Sequence, residues 1–168
     1  MLACVDVDYR PDGSAAAACL VFPDWASDVV AASHVAWIDD VEPYRPGAFY
    51  RRELPCLVRV LGEVAVPLDV VIVDGYVTLD AAGAPGLGAR LHDALGGKTT
   101  VVGVANFVFA TATAAVPVLR GRSRAPLWVS AAGIDPNAAA TRVQAMAGAH
   151  RIPDLLRAVD RLARQSTR

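Results

Sequence analysis

The sequence contains almost no lysine and carries almost no net charge. Lys98 is the only lysine among 16 basic residues, and 17 acidic residues leave a formal net charge of −1. The strongly basic field that dominates non-specific binding to nucleic acid is therefore absent. Composition alone does not indicate a nucleic-acid-binding protein, although arginine, which supplies nearly all of the positive charge, binds phosphate oxygens better than lysine does.

Cysteine is also scarce, and no apolar run is long. The three cysteines, Cys4, Cys19 and Cys56, include no CxxC pair, which argues against a disulfide framework and a zinc site. The longest largely apolar runs, 64–73 and 101–110, are well short of the roughly 20 residues that span a bilayer. The first residues lack the features of a signal peptide. We therefore expect a cytoplasmic protein with no membrane partner.

Hydrophobic residues are abundant, at 54% of the 168 residues, while charged residues make up 20%. This balance excludes a disordered chain and a coiled coil. It predicts one compact domain over residues 1–168, because a chain of this length suits a single hydrophobic core.

The pattern of hydrophobic residues predicts a mixed sheet flanked by helices. Period-two alternation and turn residues predict three antiparallel strands at Met1–Tyr9, Ala15–Phe22 and Val29–Ile38. A helix is predicted from Pro55 to Val64, with the proline in its first turn. The β-branched run Asp69–Asp74 predicts a strand buried on both faces.

Further along the chain, six more elements are predicted. They are a helix at Pro85–Leu95, strands at Thr99–Ala105, Ala115–Leu119 and Leu127–Ser130, and helices at Pro136–Ala147 and Pro153–Arg164. The order βββαβαβ is that of an α/β fold of the ribonuclease H-like type, with three antiparallel strands followed by parallel strands. Element order is an analogy, so function must be argued from the site.

Three acidic residues stand out against this pattern. Asp6 lies within an apolar strand, where an unpaired carboxylate is costly to bury. Asp74 ends the most apolar strand, at the carboxyl edge where open α/β sheets bind ligands. If the two strands are parallel neighbours, both carboxylates reach one cation. Glu53, just before the predicted helix, then completes the set of ligands. Three hard oxygen ligands suit Mg²⁺ or Mn²⁺. A strand-end aspartate is also a common turn former or helix cap, so spacing alone leaves both interpretations open.

Several short segments, taken in order, resemble the endonuclease V family of nucleases that act on deaminated purines. They are Val5–Tyr9, Pro43–Gly47, Arg52–Pro55, Val71–Gly75, Pro85–Ala89, Val102–Ala105 and Pro126–Ser130. The resemblance covers most of the chain. It implies that Asp6, Glu53 and Asp74 are the metal-binding carboxylates, with Mg²⁺ or Mn²⁺ as the cofactor.

The resemblance also implies a nucleic-acid-binding surface. Tyr44, braced by Pro46, resembles the wedge that enters the strand at the lesion. Gly47, Gly75, Gly86 and Leu87 match positions whose backbone frames a flipped base. Flipping costs a few kcal/mol of stacking, which an inserted aromatic ring partly offsets. A proline-rich surface loop with ordinary turn glycines is the alternative.

Arginines on two segments are candidates for phosphate contact. Arg51, Arg52 and Arg59 lie beside the wedge, and Arg120, Arg122 and Arg124 lie on a predicted turn. A solvated charged surface is the alternative interpretation for both groups.

Two positions depart from the family pattern. Asp80 stands where the family has a histidine near the metal, and Asn106 stands where it has a lysine. An amide cannot neutralise charge that develops in a transition state, so reduced activity is expected.

Two hypotheses about function result. The first is a monomeric, metal-dependent endonuclease that hydrolyses a phosphodiester 3′ to inosine in DNA or RNA, with Asp6, Glu53, Asp74, Asp80 and Asn106 in its catalytic site. The second is a weakened or inactive relative that serves as a nucleic-acid or nucleotide-binding module, or that was recruited to small-molecule metabolism.

Overall fold

A mixed sheet of seven strands organises the protein, in a computed structural model that describes residues 1–112 and 114–168. The strands are β1 (Leu2–Tyr9), β2 (Ala15–Phe22), β3 (Ala32–Ile38), β4 (Val70–Asp74), β5 (Thr100–Ala105), β6 (Val116–Val118) and β7 (Leu127–Ala132). Their order across the sheet is β3-β2-β1-β4-β5-β7-β6.

The strand directions confirm the predicted mixed sheet. β2 pairs antiparallel with both β1 and β3, and β4 pairs parallel with both β1 and β5. β7 then runs antiparallel to β5, and β6 runs antiparallel to β7. The parallel strands lie at the centre of the sheet, which accounts for their nearly continuous runs of valine and isoleucine.

In the described part of the chain, four helices cover the two faces of the sheet. They are α1 (Tyr50–Leu61), α2 (Leu87–Ala94), α3 (Pro136–Ala145) and α4 (Asp154–Gln165). Along β1, the even-numbered Leu2 and Cys4 pack with residues of α3 and α4, whereas the odd-numbered Ala3 and Val5 pack with residues of α1 and α2. This alternation is the ordinary period of a strand, and it assigns each side chain of β1 to one helical layer. Within the described ranges, no helix has the length and apolar character needed to cross a membrane.

Helix α1 differs most from its prediction. It begins at Tyr50, five residues before the predicted start, and Pro55 lies inside it rather than in its first turn. A proline inside a helix removes one backbone hydrogen bond and typically costs about 3 kcal/mol. Burial of Leu57 and Val60, which are 1% and 0% exposed, offsets that cost. Glu53 therefore lies within the helix and not before it.

Strand β3 begins at Ala32, so the prediction of a strand from Val29 is wrong. Val29 and Val30 are exposed, and pairing with β2 starts only where the Ala31 N–H donates to the carbonyl of Val21. The other predicted elements are confirmed, with ends that differ by at most two residues.

Arg120 is buried at 6% exposure, which excludes it as a phosphate contact. Its guanidinium donates hydrogen bonds to five backbone carbonyls between Gln144 and Arg151. Burial lowers the pKa of this side chain. Arg120 therefore fixes the segment that joins α3 to α4, and with it the position at which α4 meets the sheet.

Candidate active site

Asp6 and Asp74 lie side by side at the carboxyl edge of the sheet. β1 and β4 are parallel neighbours whose last paired residues are Val5 and Val73, and the two aspartates follow directly. Adjacent strands are about 4.8 Å apart. Both aspartates line the same cleft beyond the strand ends, so the structure brings these two predicted site residues together.

A third carboxylate, that of Asp160, faces this pair from α4. Asp6 follows Cys4 in the alternation of β1, and Asp74 follows Ile72 in β4, so both continue the face that α4 covers. Asp160 lines two adjoining clefts, and Asp6 and Asp74 line both of them as well. The carboxylates of β1 and β4 thus meet an acidic side chain from the other end of the chain.

Asp160 was not predicted from the sequence, although one pattern pointed to it. Leu155, Leu156 and Val159 form the apolar face of α4, and Asp160 is four residues after Leu156. A residue four positions along a helix lies on the same face. An acidic residue at that position in an otherwise apolar helical face indicates a site.

Glu53 approaches the same edge from the opposite face of the sheet. It is carried by α1, is 5% exposed, and lines the second cleft together with Asp6 and Asp74. Because Glu53 comes from one helical layer and Asp160 from the other, the acids surround the edge without converging. Among the described residues, no three histidine, cysteine, aspartate or glutamate side chains form a ready-made metal-ligand set.

Burial, together with repulsion between the acids, raises the pKa values at this edge. Burial raises the pKa of Asp6 to about 7, and the charges of Asp74 and Asp160 add to the effect. Burial, with repulsion from Asp6 and Asp74, raises the pKa of Glu53 to about 8. The pKa of Asp74 is raised by burial and by Asp160. A divalent cation would relieve this repulsion, and carboxylate oxygens are the ligands that Mg²⁺ and Mn²⁺ prefer.

Arginine side chains supply the opposite charge at this edge. Arg164 donates from Nε to the Asp160 carboxylate at 2.7 Å, and it lines both clefts. Arg157 lines the first cleft. The cleft therefore contains both anionic groups able to bind a metal ion and cationic groups able to bind a phosphate.

Comparison with known proteins identifies the family. The family model for Endonuclease V matches residues 1–116. The chain belongs to the Endonuclease V family. An Endonuclease V of Xanthomonas campestris is 37% identical over 75 residues, which is 45% of this chain and 32% of that relative. The match thus spans about a third of the length of such curated relatives.

Solved structures confirm the ribonuclease H-like fold. Endonuclease V from Streptomyces avermitilis superposes with a TM-score of 0.78 at 25% identity, covering 98% of this chain and 79% of that one. Endonuclease V from Ciona intestinalis, in complex with a 23mer DNA containing an inosine followed by a ribo-adenosine, gives a TM-score of 0.78 at 15% identity, covering 98% of this chain and 83% of that one.

Asp80, predicted as a site residue in place of a family histidine, is not brought together with the other acids. It lines neither cleft, and its carboxylate accepts a hydrogen bond from the N–H of Ala84 at 2.9 Å. The interaction closes a turn, in the way that aspartate side chains commonly do.

Asn106, predicted as a site residue in place of a family lysine, does lie at the site and lines the first cleft. Its side-chain oxygen accepts a hydrogen bond from Arg151 Nη1 at 3.4 Å, and its backbone carbonyl accepts another from Nη2. The Arg151 guanidinium therefore supplies positive charge beside Asn106.

The loop that contains Tyr44 leaves the sheet at the same edge as the carboxylates. β3 ends at Ile38, which pairs with Ala15 of β2, and Ala15 pairs in turn with Tyr9 at the end of β1. Tyr44 is 59% exposed, and its ring centroid lies 6.4 Å from that of Phe49. Pro46 is exposed as well. The placement leaves the predicted wedge free to meet a ligand at the carboxylate cleft.

The glycines at this edge have local structural reasons to be glycine. Gly47 and Gly75 have φ values of +75° and +129°, which other residues rarely adopt. A Cβ on Gly86 would lie 2.5 Å from the carbonyl oxygen of Tyr76. The side chain of Leu87 is buried in the core. Backbone contact with a flipped base stays a prediction for all four positions.

Arg52 stacks over the ring of Tyr9, with 3.6 Å between the guanidinium carbon and the ring centroid. The side chain is half-buried next to Glu53, and its charge partly opposes the raised pKa of that carboxyl. Arg52 is therefore held inside the acidic edge rather than projecting freely into solvent.

Proposed function

We propose that this protein is a metal-dependent endonuclease that hydrolyses a phosphodiester 3′ to a deaminated purine, inosine, in DNA or RNA. The observation that carries the proposal is the pair Asp6 and Asp74, adjacent at the sheet edge and flanked by Glu53 and Asp160. Membership of the Endonuclease V family supports the reaction class. The inosine-containing DNA bound to the Ciona relative supports the substrate class.

The donor chemistry fits a hard divalent cation, because the acids are buried, mutually repelling carboxylates. Asp6 and Asp74 would hold Mg²⁺ or Mn²⁺, with Glu53 or Asp160 as the third ligand. Such an ion polarises the phosphate, lowers the pKa of an attacking water and stabilises the departing oxygen.

The other side chains of the cleft bind and orient the substrate in this proposal. Arg157 and Arg164 bind the phosphate oxygens next to the acids. Arg151, held against Asn106, provides positive charge where the family lysine is missing. Tyr44 fills the space of the displaced base.

The test uses labelled single-stranded DNA and RNA, each with one inosine, and matched strands with guanosine in its place. We expect the wild type to cut only the inosine strands, in the presence of Mg²⁺ or Mn²⁺. Asp74→Asn should cut at least about 100-fold more slowly, since metal-derived stabilisation is worth several kcal/mol. Asp93→Asn, an exposed acid on α2, is the matched control and should cut like the wild type. Failure of the wild type to cut at enzyme excess with either metal would contradict the proposal.

A nucleic-acid-binding module without cleavage is the second candidate. It is favoured by the separation of the acids over two faces of the sheet, with no ready-made ligand set among the described residues. The replacements Asp80 and Asn106 point the same way. Binding of the inosine strands without cutting, equal in wild type and Asp74→Asn, would favour this candidate.

A further inference from the structure

Three consecutive apolar side chains are exposed directly after β5. Phe107, Val108 and Phe109 are 83%, 66% and 47% exposed. A run of three exposed apolar residues has no benefit for folding, and contiguous apolar surface usually marks an interaction site. We name residues 107–109 the aromatic loop.

The backbone of the aromatic loop is fixed, although its side chains are exposed. The hydroxyl of Tyr76 donates to the carbonyl of Phe107 at 2.7 Å and accepts from the N–H of Phe109 at 3.1 Å. The rings of Tyr76 and Phe109 pack with centroids 6.2 Å apart. Thr111 adds a hydrogen bond of 2.6 Å to the carbonyl of Leu79. The Phe107 ring is therefore presented to solvent from an anchored turn.

This anchor connects the aromatic loop to the candidate active site. Tyr76 is two residues after Asp74, and Asn106, which precedes the loop, lines the cleft with Asp6 and Asp74. The Tyr44 loop leaves the sheet beyond β1, on the opposite side of the acids. Exposed aromatic rings thus flank the carboxylate cleft on both sides.

Two exposed arginines lie at the same edge. Ala105 at the end of β5 pairs with Trp128 near the start of β7, so the turn that leads into β7 is at the carboxyl edge. Arg122 and Arg124 are on this turn, are exposed, and form no ion pair with any residue that the structure describes. Arg151 donates to the backbone carbonyls of both Asn106 and Pro126, which brings this turn beside the aromatic loop. The surface there is therefore suited to an anionic partner rather than to a second apolar surface.

We propose that the aromatic loop binds an unpaired base of a nucleic-acid strand by stacking on Phe107, with Arg122 and Arg124 contacting the neighbouring phosphates. Aromatic side chains in a basic groove are the usual means of holding single strands, and stacking tolerates any base because every base has a flat face. This inference rests on the proposed function in one respect: the nucleic-acid strand that stacks on Phe107 is the strand that enters the carboxylate cleft.

The test measures equilibrium binding of a short fluorescein-labelled single strand without inosine, by anisotropy, with EDTA present so that no cleavage occurs. We expect Phe107→Ala to bind about 5- to 100-fold more weakly than the wild type, the usual effect of losing one stacked base. Phe107→Leu, which keeps apolar area but loses the ring, should also bind more weakly, and Phe107→Trp should bind as tightly as the wild type. Arg122→Ala should reduce the dependence of log Kd on log salt by about one unit.

The matched control is Val66→Ala, an exposed apolar residue that precedes β4 at the opposite edge of the sheet. It should bind like the wild type. Equal binding by Phe107→Ala and the wild type would overturn the inference. The inference would also be overturned if the wild type formed a concentration-dependent dimer that Phe107→Ala abolished while oligonucleotide binding stayed unchanged. The aromatic loop would then be a self-association surface.

Failure of the inference and failure of the proposed function give different results. A wild type that binds through Phe107 but does not cut inosine strands contradicts the nuclease alone. A wild type that cuts, with a KM that Phe107→Ala leaves unchanged, contradicts the stacking role alone.

Discussion

The acids at the sheet edge should make the metal-free protein less stable as the pH rises. Glu53 carries the clearest effect, because it is 5% exposed and its pKa is raised from 4.5 to about 8. A carboxyl whose pKa is raised by folding binds its proton more tightly in the folded state. Below pH 4.5, Glu53 is mostly protonated in both the folded and the unfolded state and has little effect on the free energy of unfolding. Between pH 4.5 and about 8 it is ionised mainly in the unfolded state, so the folded state becomes progressively less stable relative to the unfolded state.

The magnitude follows from the size of this shift. At about 1.4 kcal/mol per pKa unit, the shift of Glu53 sets an upper bound of about 5 kcal/mol. Coupling to Asp6 and Asp74 divides this effect among the three acids, so we expect roughly 2–3 kcal/mol from Glu53 alone. Removing the charge with Glu53→Gln should therefore stabilise the protein at pH 8.5 and have little effect at pH 4.5, where the carboxyl is still largely protonated in both states.

The assay is urea unfolding in EDTA at these two pH values, followed by circular dichroism, with wild type, Glu53→Gln and the exposed-acid control Glu63→Gln. The free energy of unfolding of Glu53→Gln relative to wild type should rise by about 2–3 kcal/mol from the lower to the higher pH. Glu63→Gln should show no such rise, since exposed carboxylates contribute little. The reasoning is refuted if Glu53→Gln and wild type lose stability in parallel, or if the wild type gains stability with rising pH.

Three further predictions concern the metal, a glycine and a buried arginine. Mn²⁺ at about 100 times its Kd should raise the melting temperature of the wild type by roughly 5–10 °C and leave Asp74→Asn unchanged, as measured by calorimetry; an equal rise in both would exclude Asp74 as a ligand. Gly86→Ala should lower the free energy of unfolding by about 1–3 kcal/mol in urea, because its Cβ would lie 2.5 Å from a backbone oxygen; Gly62→Ala, with no contact under 3.4 Å, should not, and equal effects would contradict the packing argument. Arg120→Met should cost at least about 3 kcal/mol by leaving buried carbonyls unpaired, against less than about 0.5 kcal/mol for the exposed control Arg122→Met; a neutral Arg120→Met would show that those carbonyls find other partners.

Local sequence patterns were sufficient to predict most of the strands and one half of the candidate site. The β-branched run that ends at Asp74 predicts a strand buried on both faces, and the alternation around Asp6 predicts the first strand. Because the carboxyl ends of parallel strands meet at one edge, the two aspartates were expected to be adjacent on the condition that these strands are parallel neighbours. The structure confirms that adjacency through the register of β1 with β4.

The rest of the site depends on which elements pack against each other, and no local pattern contains that information. Amphipathic spacing places Asp160 on the packed face of α4, but Asp160 meets Asp6 only because α4 docks against β1, across a separation of about 150 residues. The side from which Glu53 approaches depends on α1 beginning at Tyr50. The predicted start of α1, at Pro55, is too late in the chain because a proline is expected near a helix N-terminus.

The alternation of side chains along β1 has a consequence for how a bound ion would act on the whole molecule. Glu53 belongs to the layer that rests on one side of the sheet, and Asp160 belongs to the layer on the other. An ion that bound Glu53 and Asp160 together with Asp6 would link the two helical layers at the carboxyl edge of the sheet. It would connect residues from the first third of the chain to α4. Binding of the cation would then also hold α4, which already packs on the sheet, more firmly in place, so the occupancy of the site would be measurable as slower hydrogen exchange in α4.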